Sequence, residues 1–335
     1  MTLAKPLALV LCTVIGTALP TAHARQDAPS QDAPSQEAAA AVPATHPAND
    51  PAAASGDDAM LRAQVLLDRA HFSPGEIDGR GGGNTQRAIS AFQRSRGLTA
   101  SGELDEPTWK ALDKDAAPVL VEYVVTAADI AGPFKPLPAD MMEQSRLEAL
   151  GFESAAEALG EMFHASPGLL QRLNPDKDLA VVGSRIVVPA VDGGAPLPEV
   201  AKVVVDKSDS VVRLLSADGE IVAQYPASTG SERDPLPIGE WTIKGVARDP
   251  TFHYNPELFW DADPAHAKAT LAPGPNNPVG VAWVDLSKEH YGIHGTPAPA
   301  HVGKTDSHGC IRLTNWNVLA LAAAVDPGTP AVLQE

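Results

Sequence analysis

The residues with the clearest chemical potential are one cysteine and two histidines near the C-terminus. Cys310 follows His308 by two positions and His294 by sixteen. A free thiol with a pKa near ~8.5 is mostly protonated at neutral pH, so it needs an adjacent imidazole or exposed backbone N–H groups to act as a nucleophile. This segment supplies both kinds of group. The pattern therefore predicts nucleophilic catalysis by a thiol.

Two other interpretations compete with a catalytic thiol. A lone cysteine is often a small buried apolar residue, but Gly295 and Gly309 beside the two histidines indicate backbone that approaches a ligand. A zinc site would use His290 and His294 at helical spacing, yet the glycines and Pro297 break any helix there. We therefore expect neither a metal nor a cofactor.

The residues after the thiol predict the element that positions it. Ile311 and Leu313 are apolar, and Arg312 between them is charged. This alternation is typical of a half-buried strand. Cys310 would lie at the entrance of that strand.

At these residues the chain resembles a known family, the L,D-transpeptidases with a YkuD-type catalytic domain. The motifs stand in the order and spacing of that family. They are His294-Gly295-Thr296 with Gly303, the run Ser307-His308-Gly309-Cys310-Ile311-Arg312-Leu313, and the upstream segments 237–241 and 273–280. The resemblance implies a catalytic domain over residues 200–335.

The resemblance also implies roles for individual residues. Cys310 would form a thioester with a peptide carbonyl, His294 would accept and donate the proton, and His308 would order or polarise the thiol. Arg312 would hold a substrate carboxylate, unless it forms a salt bridge with the acidic turn near Asp326. The other residues expected around the substrate are Tyr291, Gly295, Thr296, Ser307 and Gly309.

The substrate implied by the resemblance is the stem peptide of peptidoglycan, cut after its third residue with release of D-alanine. Backbone N–H groups of residues 308–310 would stabilise the oxyanion. The acyl acceptor would be an amine of a neighbouring stem or of a wall-anchored protein. Two further classes stay open: a hydrolase on the same scaffold, either an L,D-carboxypeptidase or a protein-to-wall amidase, and a wall-binding protein without activity.

Length and charge restrict the other possibilities. The chain has 335 residues, which suffices for two or three domains. Its formal net charge is −17, which argues against nucleic acid or anionic lipid as a partner. The expected partners are therefore the stem peptides and glycan of peptidoglycan.

The N-terminal residues predict export and a spacer. Lys5 precedes an apolar run, and Ala22-His23-Ala24 fits a signal peptidase site, so residues 1–24 are predicted to be a cleaved signal peptide. The apolar run is shorter than the roughly 20 residues that span a bilayer. We expect no membrane span after cleavage, and a location in the periplasm or cell wall. Residues 25–57, rich in alanine and proline, are predicted to form a disordered tether.

Residues 58–115 predict a small module of three helices. Asn84 is expected to cap the second helix and Asp105 to open the third. The pattern resembles the peptidoglycan-binding modules attached to wall enzymes. It includes Ile77-Asp78-Gly79, Thr85, Phe92-Gln93, Gly97-Leu98, Gly102 and Thr108-Trp109.

Residues 119–190 predict an α+β middle module. The patterns indicate a strand, two helices and a second strand, which is the order of a LysM glycan-binding module. Leu173-Asn174-Pro175 and Ile186-Val187-Val188-Pro189 resemble that family. A proline-bearing insertion from Ala131 to Asp140 departs from it, so a structural spacer is an equal alternative.

The last domain is predicted to be mainly β, because short alternating strands recur at hairpin spacing after residue 200. The expected fold is therefore multidomain, with a three-helix module, an α+β LysM-like module and a mainly-β catalytic domain. One long irregular segment, Arg248 to Asn277, is rich in aromatic residues. We interpret it either as a lid over the site or as a satellite hydrophobic cluster.

Overall fold

A computed structural model describes residues 42–335. The predicted signal peptide and the first part of the predicted tether lie outside these residues. Within 42–335 no helix has both the length and the apolar composition that crossing a membrane requires.

The last part of the tether prediction is wrong, because residues 42–57 are ordered. The short strand β1 (Val42–Pro43) pairs antiparallel with residues 121 and 122. The Asn49 side chain donates to the carbonyls of Ala44 and Leu120, both at 2.8 Å. Backbone pairing and side-chain hydrogen bonds thus order a segment whose composition supplies few apolar contacts.

Three helices follow this strand. They are α1 (Asp57–Arg69), α2 (Gly83–Ser95) and α3 (Glu106–Leu112). α1 has aspartates in its first turn and Arg69 in its last, charges that complement the helix dipole. Asp105 caps α3 as predicted, since its carboxylate accepts from the Thr108 N–H at 2.9 Å.

The predicted cap of α2 is wrong. Gly82 occupies the cap position, and Asn84 lies inside the first turn. The Asn84 side chain instead donates to the carbonyl of Val302 in the catalytic domain, at 2.9 Å. The polar residue near the helix start serves a contact between distant parts of the chain, which local sequence does not encode.

The middle region has the predicted order of strands and helices, with one additional short helix. Its elements are β2 (Leu120–Val124), α4 (Met141–Gln144), α5 (Ala155–Met162), α6 (Pro167–Leu173) and β3 (Arg185–Pro189). β2 pairs antiparallel with β3, and the hydroxyls of Ser154 and Ser166 cap α5 and α6. The insertion at residues 131–140 contains no helix or strand. The LysM-like identity of this region stays a prediction.

The C-terminal region is mainly β, as expected. Its elements are β4 (Lys202–Asp206), β5 (Val211–Leu215), β6 (Ile221–Pro226), β7 (Gly239–Arg248), β8 (Phe252–Tyr254), β9 (Ala269–Leu271), β10 (Ala282–Leu286), β11 (Gly292–His294), β12 (Ile311–Arg312), α7 (Asn315–Ala324) and β13 (Pro330–Gln334). Eight strands form one sheet in the order β12-β11-β10-β7-β13-β4-β5-β6. Two of its pairs are parallel, β11 with β12 and β13 with β4.

The aromatic segment after β7 folds into a structure that we call the flap, residues 252–271. Its strands β8 and β9 pair antiparallel, so this segment is not irregular throughout. Tyr254 and Leu271 pack with Leu150 of the middle region in a small hydrophobic cluster. The segment therefore contains the hydrophobic cluster of the second interpretation, and several of its residues line a cavity. Its action as a lid stays a prediction.

We expect Gln93 to be a major determinant of stability in the helical region. Its side chain is completely buried, donates to Ser101, Glu103 and Thr108, and accepts from the Gly102 N–H. Gln93→Leu should lower the free energy of unfolding by about 1 to 3 kcal/mol, because the buried Thr108 hydroxyl and the half-buried Gly102 N–H each lose a hydrogen-bond partner. Urea denaturation measures this. The exposed neighbour Arg94, changed to Ala, should stay within about 0.5 kcal/mol of the wild type, and an equal loss in both variants would contradict the explanation.

Candidate active site

The two halves of the histidine and cysteine motif meet through strand pairing. β11 and β12 run parallel, with Ile293 opposite Ile311 and His294 opposite Arg312. The predicted strand after the thiol is present but only two residues long, and Ile311 and Leu313 are completely buried. Cys310 immediately precedes β12, so this pairing makes Cys310 and His294 neighbours at the site although sixteen positions separate them in sequence.

The Cys310 thiol faces a cavity but is closely surrounded by protein. It is half-buried, and its Sγ lies 3.8 Å from the carbonyl oxygen of His290, to which the S–H can donate. Burial raises the pKa of the thiol above its ordinary value, and the Gly292 backbone and the Arg312 charge oppose this only in part. The resting thiol is therefore protonated at neutral pH.

His294 is buried with a defined tautomer. Its Nδ1 lies 2.7 Å from the carbonyl oxygen of Gly295, and because a carbonyl only accepts, Nδ1 carries the proton and Nε2 is free to accept one. Burial, with a smaller contribution from the Arg312 charge, lowers the pKa of His294 to about 4. Within residues 42–335 no hydrogen bond joins this ring directly to Cys310.

Trp283 holds the His294 ring in place. The two residues are partners in the antiparallel pairing of β10 and β11, and their rings stack at 5.4 Å with 11° between the planes. A side chain at Gly292 would lie 2.4 Å from the Trp283 ring, so glycine is needed there. Trp283 was not identified from the sequence. A signal was available, because the alternation over residues 282–286 predicts a strand with Trp283 on the face opposite to the buried Ala282, Val284 and Leu286.

His308 lies two positions before the thiol in sequence, but its side chain contacts the flap. Its Nε2 lies 3.0 and 3.1 Å from the two carboxylate oxygens of Asp261. The ring also packs against Phe259 at 5.3 Å and Trp260 at 6.0 Å between centroids. Asp261 was not identified from the sequence, because it lies 47 positions away and no local pattern marks it. His308 therefore connects residues 307–310, which we call the nucleophile loop, to the flap.

Arg312 lies in the cavity wall, with its guanidinium held by the backbone. Its Nη2 donates to the carbonyl of Asp306, and it makes no salt bridge with Asp326 among the described residues. Its Nε is buried and, in the part of the chain that the structure covers, has no hydrogen-bond partner. The guanidinium thus retains capacity to bind a carboxylate or to stabilise a thiolate.

Of the remaining predicted residues, Ser307 and Tyr291 line the cavity. The Ser307 hydroxyl donates to the Cys310 carbonyl, and its N–H donates to the Thr229 carbonyl at 2.9 Å. Gly309 has φ +96°, and a side chain there would lie 3.0 Å from the Tyr291 ring. These contacts define the backbone conformation on both sides of the thiol.

Gly295 and Thr296 shape the backbone and are not part of the cavity lining. A side chain at Gly295 would lie 2.2 Å from Oδ1 of Asn315, at the start of α7. The Thr296 hydroxyl accepts from the Ala298 N–H at 3.3 Å and stabilises the turn after β11. Asn315 was another residue that sequence reasoning missed.

The cavity has a volume of about 1290 Å³. Its walls come from the nucleophile loop, the turn 287–291, strand β10 and the flap. The chemically important lining residues are Cys310, His294, Arg312, Tyr291, Ser307 and His308. Within 42–335 no group of three or more His, Cys, Asp or Glu side chains is arranged around a metal position. The arrangement suits nucleophilic attack by a thiol on a carbonyl group of a ligand in this cavity.

Comparisons with known proteins identify two regions of the chain. A family model described as the L,D-transpeptidase catalytic domain YkuD matches residues 201–333. A second model, described as a putative peptidoglycan binding domain, matches residues 56–112.

Individual relatives agree with the first match. The putative L,D-transpeptidase YkuD of Bacillus licheniformis is 30% identical over 175 residues, covering 52% of this chain and 89% of that protein. The protein of the same name from Bacillus subtilis is 30% identical over 168 residues, covering 50% and 85%. A solved L,D-transpeptidase from Mycobacterium smegmatis is 24% identical with a TM-score of 0.33, covering 46% of this chain and 65% of the other. The two Bacillus relatives show that the chain belongs to the L,D-transpeptidase family, with a YkuD-type catalytic domain.

Proposed function

We propose that this acyltransferase is a cysteine-dependent L,D-transpeptidase of peptidoglycan, with Cys310 as the nucleophile. The observation that carries the proposal is the parallel pairing of β11 and β12, which brings Cys310 and His294 to the wall of one cavity. The family supplies the substrate class, a stem peptide. The acceptor is an amine of a neighbouring stem or of a wall-anchored protein.

The reaction has two acyl transfers. As Cys310 Sγ bonds to the stem carbonyl carbon, its proton moves to Nε2 of His294. The C–N bond to D-alanine then breaks, and the imidazolium returns the proton to the leaving amine, which leaves a thioester on Cys310. An acceptor amine attacks this thioester, its proton passes through His294, and the thiol is restored.

The resting pair is a neutral thiol and a neutral imidazole. Burial disfavours both charged forms, since it raises the pKa of Cys310 and lowers the pKa of His294 to about 4. A permanent ion pair at this depth would carry a large desolvation cost. Proton transfer therefore accompanies attack on the substrate, and the Arg312 charge stabilises the thiolate as it forms.

The loop around the thiol is suited to hold the oxyanion. Gly309 has φ +96° and no side chain, which lets the backbone approach the reacting carbonyl closely. The N–H groups of residues 308–310 are the proposed donors to the tetrahedral oxygen. The Tyr291 ring packed against Gly309 keeps this loop in one conformation.

The flap favours transfer over hydrolysis. Both outcomes share the thioester, and they differ in whether an amine or water reaches the acyl carbon first. Phe259 lines the cavity and packs against the His308 ring, which limits access of water to the thioester. A groove bounded by the flap leaves room for a second stem as acceptor.

The two modules before the catalytic domain are proposed to keep the enzyme on its polymer. The match of residues 56–112 to a peptidoglycan-binding domain supports binding of peptidoglycan, and the LysM-like region would add a glycan contact. Attachment to the polymer raises the effective concentration of neighbouring stems. An enzyme acting on peptidoglycan works in the cell wall or periplasm, and cleavage after residue 24 is the proposed route of export.

The first test is removal of the nucleophile. Cys310→Ala should abolish both thioester formation and product, since no other side chain in the cavity replaces the thiol. The assay is mass spectrometry of purified protein with disaccharide-tetrapeptides and an acceptor amine, with circular dichroism to show that the variant is folded. Wild-type amounts of product from the variant would rule out the mechanism.

A second test concerns the protonation states. Alkylation of Cys310 by iodoacetamide should be slow at pH 7 and accelerate as the pH rises through the raised pKa of the thiol. Because His294 is neutral above pH about 4, His294→Asn should leave this midpoint unmoved yet slow acylation by about 10²-fold or more.

Two matched variants test the charge of Arg312, since one removes it and the other keeps it. Arg312→Gln removes a cation that stabilises the thiolate, so the alkylation midpoint should move to higher pH, whereas Arg312→Lys should move it less. An upward shift in His294→Asn as large as that in Arg312→Gln would mean that His294 is charged at rest.

A third test separates transfer from hydrolysis. On isolated sacculi the wild type should give mainly cross-linked or protein-linked product. Phe259→Ala should increase the share of hydrolysed tripeptide, because it opens the cavity to water. Glu257→Gln is the control, since Glu257 lies in the same flap and forms an exposed ion pair with Lys268 at its surface. Tripeptide as the sole wild-type product, with acceptor amine in excess, would favour the carboxypeptidase alternative.

A further inference from the structure

The helical module covers the edge of the catalytic sheet. β6 is the last strand of that sheet, and its Gln224 is buried beneath the chain that follows α1. The Gln224 backbone donates to His71 O and accepts from Ser73 N–H, both at 2.9 Å. Phe72 between them pairs with Gln224 like a short parallel strand. The module therefore satisfies backbone groups that an open sheet edge would leave unpaired.

A second contact joins the module to the loop before the nucleophile. The Asn84 side chain is 8% exposed, and its Nδ2 donates to Val302 O at 2.9 Å. Arg87, one turn later in α2, donates from Nη2 to Asn84 Oδ1 at 2.6 Å and to Gly303 O at 3.1 Å. The Arg87 carbonyl in turn accepts from Gln224 Nε2 at 3.1 Å. The side chains of Asn84 and Arg87 thus both donate hydrogen bonds to the backbone of residues 302 and 303.

Gly303 is held between the module and the nucleophile strand. Its φ is +72°, and a side chain there would lie 2.5 Å from Asn84 Oδ1, so this position requires glycine. Its N–H donates to Ser228 Oγ at 3.1 Å. The Ser228 backbone exchanges two hydrogen bonds with Arg312, at 2.9 and 3.0 Å. A continuous series of hydrogen bonds therefore links α2 to the strand that begins beside Cys310.

The hydrogen bonds between the helical module and the catalytic domain are more than the enzyme would need merely to be held at the cell wall. A module that only retained the enzyme on its polymer would need a linker and no bonds to the catalytic motif. Burying the polar groups of Asn84 and Arg87 costs free energy that their hydrogen bonds offset with little surplus. These hydrogen bonds therefore fix the position of residues 302 and 303 more than they stabilise the fold. A catalytic loop requires such a fixed position to hold its reacting groups in place.

We propose that Asn84 and Arg87 are positioning residues for the acyl transfer at Cys310. They hold residues 302 and 303, and through that point they restrain the loop that carries Ser307, Gly309 and the thiol. The peptidoglycan-binding module is in this sense a part of the catalytic unit. The inference rests on the proposed function, because it concerns the rate of the same reaction.

The test uses full-length Asn84→Ala and Arg87→Ala with a soluble disaccharide-tetrapeptide and an acceptor amine, so that retention on sacculi plays no part. Assays are run well below each variant's thermal unfolding midpoint. We expect kcat to fall about 10- to 100-fold, because a small misplacement of a reacting group has that effect. KM should change by less than about twofold, since substrate contacts remain. The exposed residue between them supplies the control, Gln86→Ala, which should match the wild type.

Hydrogen exchange separates positioning from a general loss of stability. In Asn84→Ala the amides of residues 299–310 should exchange faster, while those of β4 and β5 keep their protection. Wild-type kcat in both variants, or faster exchange throughout the chain, would overturn the inference while leaving the proposed function intact. A wild-type protein that forms no acyl-enzyme would instead contradict the proposed function, and this inference with it.

Discussion

The parallel pairing of β11 with β12 is the contact on which the active site depends. It consists of two residue pairs, and in the first of them Ile293 and Ile311 are both completely buried. Burial of such side chains contributes roughly 1.5–3 kcal/mol each, so packing rather than the short ladder holds the register. A slip of one residue would turn the side chains of one strand to the opposite face, and Cys310 and His294 would no longer share a cavity.

The same burial determines the chemistry of the pair. A thiol and an imidazole placed in water would titrate near their ordinary values, whereas here the pKa of Cys310 is raised and that of His294 is lowered to about 4. Trp283 and the Gly295 carbonyl leave His294 one orientation and one tautomer. The neutral pair avoids the desolvation cost of a resting ion pair, and one fixed orientation of the imidazole suits the proton transfer that we propose.

Parts of the chain outside the catalytic sheet complete the site from two sides. The flap reaches the nucleophile loop through Asp261 and His308, and it packs on the middle region through the cluster around Leu150. Elsewhere, Asn84 and Arg87 of the helical module donate hydrogen bonds to the backbone carbonyls of residues 302 and 303. Modules that the family comparison separates are thus joined by specific polar contacts in the folded protein.

Short-range patterns in the sequence sufficed to predict the family, the mainly-β catalytic domain and the helical region before it, because periodicity and motif spacing are local properties. Only the tertiary structure decided that His308 pairs with Asp261, that Asn84 reaches the catalytic loop rather than capping its helix, and that residues 42–57 are ordered. Each of these contacts joins positions dozens to hundreds of residues apart, so no window of sequence contains both partners. The protonation state of Cys310 depends likewise on how much protein surrounds it, which is a property of the assembled fold and not of any segment.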